Sequence, residues 1–157
     1  MELTVGKNSY ITLEEAKQLL DDYVIEDTVL EYVSTLNDNF ISKIINRSTK
    51  MVNKLHFKGF KVDSKQELNF PRYEYRDYKK LYVECPDDVK VAIVLQAIYD
   101  SYFLNKDEMQ LKKMGVSSYS VDGASISFNK DISDEKLQNG IYKDIFEDYL
   151  RKYTIYA

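Results

Sequence analysis

Apolar residues recur along this chain at two spacings, and the switch between them divides it. "SYITLEEAKQLL" opens with Thr12 and Glu15 placed as a capping box, in which hydroxyl and carboxylate satisfy free amides at a helix start. Ala16, Leu19 and Leu20 then share one face. From Asp27 to Leu55 the residues Val29, Val33, Leu36, Phe40, Ile44, Met51 and Leu55 recur at three and four, interrupted by Ser48. "TLNDN" at 35–39 predicts a break there, into a short helix and a long one. A fourth helix is predicted over 86–104. Pro86 stands at its first position, and Asp87 and Asp88 face the positive end of its dipole. Val89, Ala92, Ile93, Val94, Leu95, Ala97 and Ile98 make it apolar nearly all round, as the centre of a bundle requires. Phe40, Ile44 and Met51 are expected to pack on Val94, Leu95 and Ile98. "KDEMQLKKMG" extends this helix or forms another, ending at Gly115.

The period then drops to two. "VSSYSVDGASISFN" (116–129) alternates around Asp122-Gly123, a strong hairpin signal. A last helix, 133–153, is capped by Ser133 and carries Ile141, Ile145, Phe146, Tyr149 and Leu150 on one face, with Gly140 as a weak point. The pattern predicts a mainly α single domain over residues 1–157. It is a bundle of about four to five helices with a long basic loop and one β-hairpin. A chain of 157 residues buries roughly two-thirds of its unfolded surface.

That basic loop is "FKGFKVDSKQELNFPRYEYRDYKK", residues 57–80, with Gly59 early and Pro71 late. The net charge of −4 is unevenly spread: residues 1–53 carry nine acids and five bases, residues 54–81 eight bases and four acids. An acidic chain is a poor general DNA binder, yet this island is basic. Over 54–82 Lys54, Lys58, Lys61, Lys65, Arg72, Arg76, Lys79 and Lys80 are interleaved with Phe57, Phe60, Phe70, Tyr73, Tyr75 and Tyr78. Proteins that hold single-stranded nucleic acid stack bases on aromatics and neutralise phosphates with Lys and Arg. The competing reading is an ordered connection whose aromatics pin it to the bundle while its charges face water. The four acids weaken the field and favour that second reading.

Catalytic chemistry is not legible here. His56 is the only histidine and has no companion for a metal site. Cys85 is the only cysteine, which excludes an internal disulfide; it precedes a helix N-terminus that can lower a thiol pKa, but a structural thiol is the favoured reading. Neither GxxxxGK[ST] nor GxGxxG occurs. No enzyme, no cofactor and no metal site is expected. Met1–Tyr10 lacks the pattern of a signal peptide, and "VKVAIVLQAI" is broken by Lys90 and Gln96, so it reads as a buried helix rather than a membrane span. The 14 tyrosines against no Trp suit an interface, since Tyr joins an apolar body to a polar tip, but a coding sequence rich in A and T gives the same enrichment and is the favoured reading.

The order "SYITLEEA", "FKG…QELNFPR", "CPDDVKVAIVLQA" and "GVSSYSVDGASISF" resembles the head–tail connector (adaptor or neck) proteins of tailed bacteriophages, over about residues 8–130. Where that family often has Trp before Pro-Arg, Phe70 keeps the aromatic. The resemblance implies a structural virion protein at the head–tail interface, assembled in the host bacterial cytoplasm. It would form a ring of about twelve subunits beneath the portal protein, extending the DNA channel. Implied partners are the portal, a head-completion (stopper) or tail-completion protein, and duplex DNA passing without sequence reading; no membrane is involved. Some relatives carry the label DnaT-like single-strand DNA-binding protein. The alternative is therefore a single-stranded nucleic-acid-binding module using loop 54–82.

Within the ring reading, Phe70-Pro71-Arg72 folds back on the bundle, and acidic 1–53 meets basic 54–81 of a neighbour. Subunit-interface candidates are Lys58, Lys61, Arg72 and Arg76, with Tyr119, Val121, Ile126 and Phe128 of the hairpin. Portal-contact candidates are Tyr149, Arg151, Lys152, Tyr153, Ile155 and Tyr156. Deletion of 151–157 is then expected to leave subunit stability nearly unchanged. Against this, Tyr149 and Leu150 serve equally well as a cap on the subunit's own core.

Overall fold

A computed structural model describes residues 1–104, 150–155 and the backbone of 118–121 and 124–127. The first helix, α1 (Leu13–Tyr23), begins with the predicted box. Thr12 Oγ1 accepts from the Glu15 amide at 3.1 Å, and the Glu15 carboxylate accepts from the Thr12 amide at 2.8 Å. The break also falls where the sequence places it, between α2 (Asp27–Ser34) and α3 (Asp38–Val52). Asn37 caps α3 by accepting from the Phe40 amide at 2.9 Å.

The buried face of α3 is turned from the expected one. Ile41, Ile45, Ser48, Thr49 and Val52 point inward, whereas Phe40 is exposed and Ile44 and Met51 are half-buried. Small polar residues make this possible. Ser48 Oγ donates to the Ile93 carbonyl at 2.8 Å and Thr49 Oγ1 to the Ile45 carbonyl at 2.9 Å. Both hydroxyls are satisfied, so neither is costly to bury. Helix α4 (Asp87–Leu104) is the centre of the bundle, packed on by α1, α2 and α3. Val94, Leu95 and Ile98 are all buried, as expected.

The stretch 57–80 is more regular than a loop. It forms an antiparallel sheet with the outer strand of its hairpin running just beyond it: β1 (Phe60–Lys61), β2 (Arg72–Arg76) and β3 (Lys79–Val83), in that order. Phe60 pairs with Tyr73, Tyr73 with Tyr82, and Tyr75 with Lys80. The β2–β3 turn is Asp77-Tyr78, with φ of 50° and 61°. Two positive φ values in a two-residue hairpin connection are the signature of a type I′ turn. The turn escapes sequence reading because it lacks the Asn-Gly or Asp-Gly that usually marks it.

The predicted later hairpin is present: β4 (Ser118–Val121) pairs with β5 (Ala124–Ser127), Val121 opposite Ala124. Residues 106–115, Phe128, and the predicted last helix up to Tyr149 lie outside the described residues.

Candidate nucleic-acid interface

The sheet is fixed to the bundle from its inner side. Phe57 and Phe70 are buried and meet edge-to-face at 4.9 Å between centroids, with Tyr10 against Phe70 at 5.9 Å. The Phe70–Pro71 peptide is cis, and Phe70 folds back on the bundle as expected. Asn69 completes the anchor: its amide donates to Asn53 Oδ1 at 2.7 Å and to the Tyr10 hydroxyl at 2.9 Å. Burial raises the Tyr10 phenol well above its ordinary pKa.

Arg72 is the hub of this layer. Its Nε donates to the Lys58 carbonyl at 2.9 Å. Nη1 reaches Asn69 O and Oδ1, at 3.2 and 3.1 Å, and Nη2 the Phe57 and Gly59 carbonyls, at 3.2 and 2.7 Å. A guanidinium has five N–H groups, so all of them are engaged. Burial lowers the Arg72 pKa, opposed by the nearby Glu74 carboxylate. Gly59 is required beside it: φ is +75°, and a Cβ would stand 2.0 Å from the Tyr73 carbonyl oxygen.

The outer side is different in kind. Residues paired across strands share a face, which places Phe60, Tyr73, Tyr75, Lys80 and Tyr82 together. Phe60 is 44% exposed, Tyr75 65% and Tyr82 55%. Their rings form a contiguous set, Phe60–Tyr73 at 5.8 Å, Phe60–Tyr75 at 6.1 Å and Tyr73–Tyr82 at 6.0 Å. The Lys80 ammonium lies 3.9 Å from the Tyr73 centroid and 5.5 Å from that of Phe60. Glu74 belongs to the opposite face, where it is buried and accepts from Arg76 at 3.1 Å. Strand alternation thus removes one of the four acids from the aromatic side.

The sequence candidates are divided by this geometry. Arg72 is structural. Lys58 donates to the Lys152 carbonyl at 2.8 Å and Lys61 to the Gln66 carbonyl at 3.1 Å; Arg76 keeps a largely exposed side chain. Phe57 and Phe70 are core, while Lys80, Phe60, Tyr73 and Tyr75 do converge. Tyr82 was missed as a partner in the set, although its alternation with Lys80 signals it. For Tyr119, Val121 and Ile126 only strand placement is described, and Phe128, Tyr149 and Tyr156 lie outside the described residues.

The C-terminal segment packs on its own subunit. Leu150 is buried, as the core-cap reading expects. The Lys58 amide donates to the Tyr153 carbonyl at 2.8 Å and the Ile155 amide to the His56 carbonyl at 2.7 Å, bridging Phe57 to Thr154. Tyr153 and Lys152 reach Asp88 at 3.2 and 3.3 Å, while Arg151 and Ile155 are exposed. His56 lies beyond the end of α3, which closes at Asn53. Burial drives the Cys85 thiol up to about 12, opposite to the helix-terminus effect. Among the described residues there is no group of three or more His, Cys, Asp or Glu able to hold a metal, and no helix long and apolar enough to cross a membrane.

Neither the curated proteins nor the solved structures give a significant match to this chain. A family model described as "Putative DnaT-like ssDNA binding protein" matches residues 2–156. That match overturns the resemblance to phage head–tail connectors, and with it the reading as a structural virion protein. The reason is physical: the motifs that carried the resemblance are devices of folding. "SYITLEEA" holds a capping box, "NFPR" a return to the core, "CPDD" a helix start and "SYSV" with "ASIS" a strand pair. Portal, stopper, ring and neck location rested on that resemblance alone. The chain belongs to this "Putative DnaT-like ssDNA binding protein" family, whose model spans nearly its whole length.

Proposed function

We propose that this protein binds single-stranded nucleic acid on the outer face of its three-stranded sheet, without sequence reading. The observation that carries this is the contiguous aromatic set of exposed Phe60, Tyr75 and Tyr82 around half-buried Tyr73, with the Lys80 ammonium over the Tyr73 ring. Every base offers a π-face, so ring stacking accepts any sequence, while a nearby cation meets the phosphates. Comparable open sheets take about two or three bases. Family membership supports the same reading. With few cations at the site, the salt dependence should be shallow, roughly 0.7 in log–log slope per phosphate neutralised.

The test is fluorescence anisotropy with labelled oligothymidylate and with duplex DNA of equal length. The double variant Tyr75→Ala/Tyr82→Ala should lose at least about tenfold in single-strand affinity while its melt is retained. Equal binding by the variant, or a preference for duplex, overturns the reading.

A further inference from the structure

We infer that Tyr78, at the tip of the β2–β3 hairpin, is a base-stacking residue that extends the aromatic face to the end of the sheet. This rests on the single-strand reading above.

The turn needs positive φ at both central positions, and Tyr78 sits at φ 61°. Glycine and asparagine meet that demand readily; a Cβ with an aromatic ring does not, so Tyr is held here against its backbone preference. The fold gives no return for it. Tyr78 is fully exposed, at 104% of its reference area. A strained residue without a packing role points to function when its surroundings suit one. Here they do. Tyr75 and Lys80, both exposed, are the last pair on the aromatic face before the turn, while Arg76 and Lys79 flank the turn on the opposite face. A nucleobase leaving the Tyr75 end of the platform meets the Tyr78 ring next, with the Lys80 ammonium on the same face to meet an adjoining phosphate. The ligand class is an unpaired nucleobase in a single strand, since a paired and stacked base offers no free face to an inserted ring.

The experiment compares Tyr78→Gly, Tyr78→Phe and the Tyr75→Ala/Tyr82→Ala platform variant, by thermal melt and by oligothymidylate anisotropy. Tyr78→Gly should raise the melting temperature by about 2 °C or more through relief of the turn, and weaken binding about tenfold through loss of one stack. Tyr78→Phe should bind like the parent. Parent-like binding by Tyr78→Gly, with the platform variant impaired, overturns the role of Tyr78 and leaves the platform standing. Undiminished binding by all three variants refutes the platform itself. Should Tyr78→Gly melt lower than the parent, Tyr78→Asn decides: weakened binding in a folded protein supports the inference, and parent-like binding overturns it.

Discussion

Lys80 holds its ammonium 3.9 Å from the centroid of the Tyr73 ring, diagonally across β2 and β3 on the outer face of the sheet. An exposed contact of this type contributes only about 0.5–1 kcal/mol to stability, so the fold does not depend on it. Its larger effect is to hold a positive charge above an aromatic surface. Lys80→Gln is expected to leave the melt within a few degrees of the parent. It should weaken oligothymidylate binding several-fold and reduce the log–log salt slope by about 0.7, the value for one phosphate contact on a single strand. An unchanged slope would show that Lys80 meets no phosphate.

How far the sequence reveals this site depends on which physical signal each residue carries. Capping, the α2–α3 break, the buried α4 and the Asp122-Gly123 hairpin rest on local rules, and all were legible. The rotation of α3 was not, because Ser48 and Thr49 become core-compatible only when a carbonyl on α4 or on the preceding turn accepts from them. Basic and aromatic character at 54–82 was visible, but not its division into two faces. That division needs the register Tyr73 to Tyr82 and Tyr75 to Lys80, which a turn of Asp77-Tyr78 conceals. Arg72 looked like a surface cation for the same reason. Nothing local announces that the carbonyls of Phe57, Lys58 and Gly59 all face it.

Arg72 should therefore behave as a stability residue. A lysine keeps the charge but cannot reproduce a planar fork engaged on five acceptors. Arg72→Lys is expected to cost roughly 3 kcal/mol in urea denaturation, with most of the loss in unpaired buried carbonyls. Oligonucleotide affinity measured well below the unfolding transition should change less than about twofold if Arg72 touches no phosphate. A stable but binding-defective variant would return Arg72 to the interface.

Deletion of 151–157 now has the opposite expected outcome from the one the tail's composition suggested. It removes Thr154, which is buried, the backbone bonds to Lys58 and His56, and the Tyr153 and Lys152 contacts to Asp88. Net values of about 1 kcal/mol per hydrogen bond imply a loss of roughly 2–3 kcal/mol. Differential scanning calorimetry should show the drop, and an unchanged melting temperature would mean that the segment is not held against the subunit. Lys58→Ala, which removes only the ammonium contact to the Lys152 carbonyl, should be nearly silent.

The last prediction concerns alkaline pH. Burial raises the Cys85 thiol from 9.0 to about 12, and it also raises the Tyr10 phenol. In the unfolded chain the thiol ionises near 9, while in the folded protein it stays protonated. The unfolded state therefore binds fewer protons above pH 9, and stability falls as pH rises from about 9 toward 12. The contribution is intact below pH 9. Cys85→Ala should flatten the first part of this decline, by less than about 1.4 kcal/mol per pH unit, and leave the part due to Tyr10. At pH 8 a thiol reagent should label the native protein far more slowly than the urea-unfolded chain, because the thiolate is the reactive form. Equal labelling rates in the two states would show that the Cys85 thiol is not shielded.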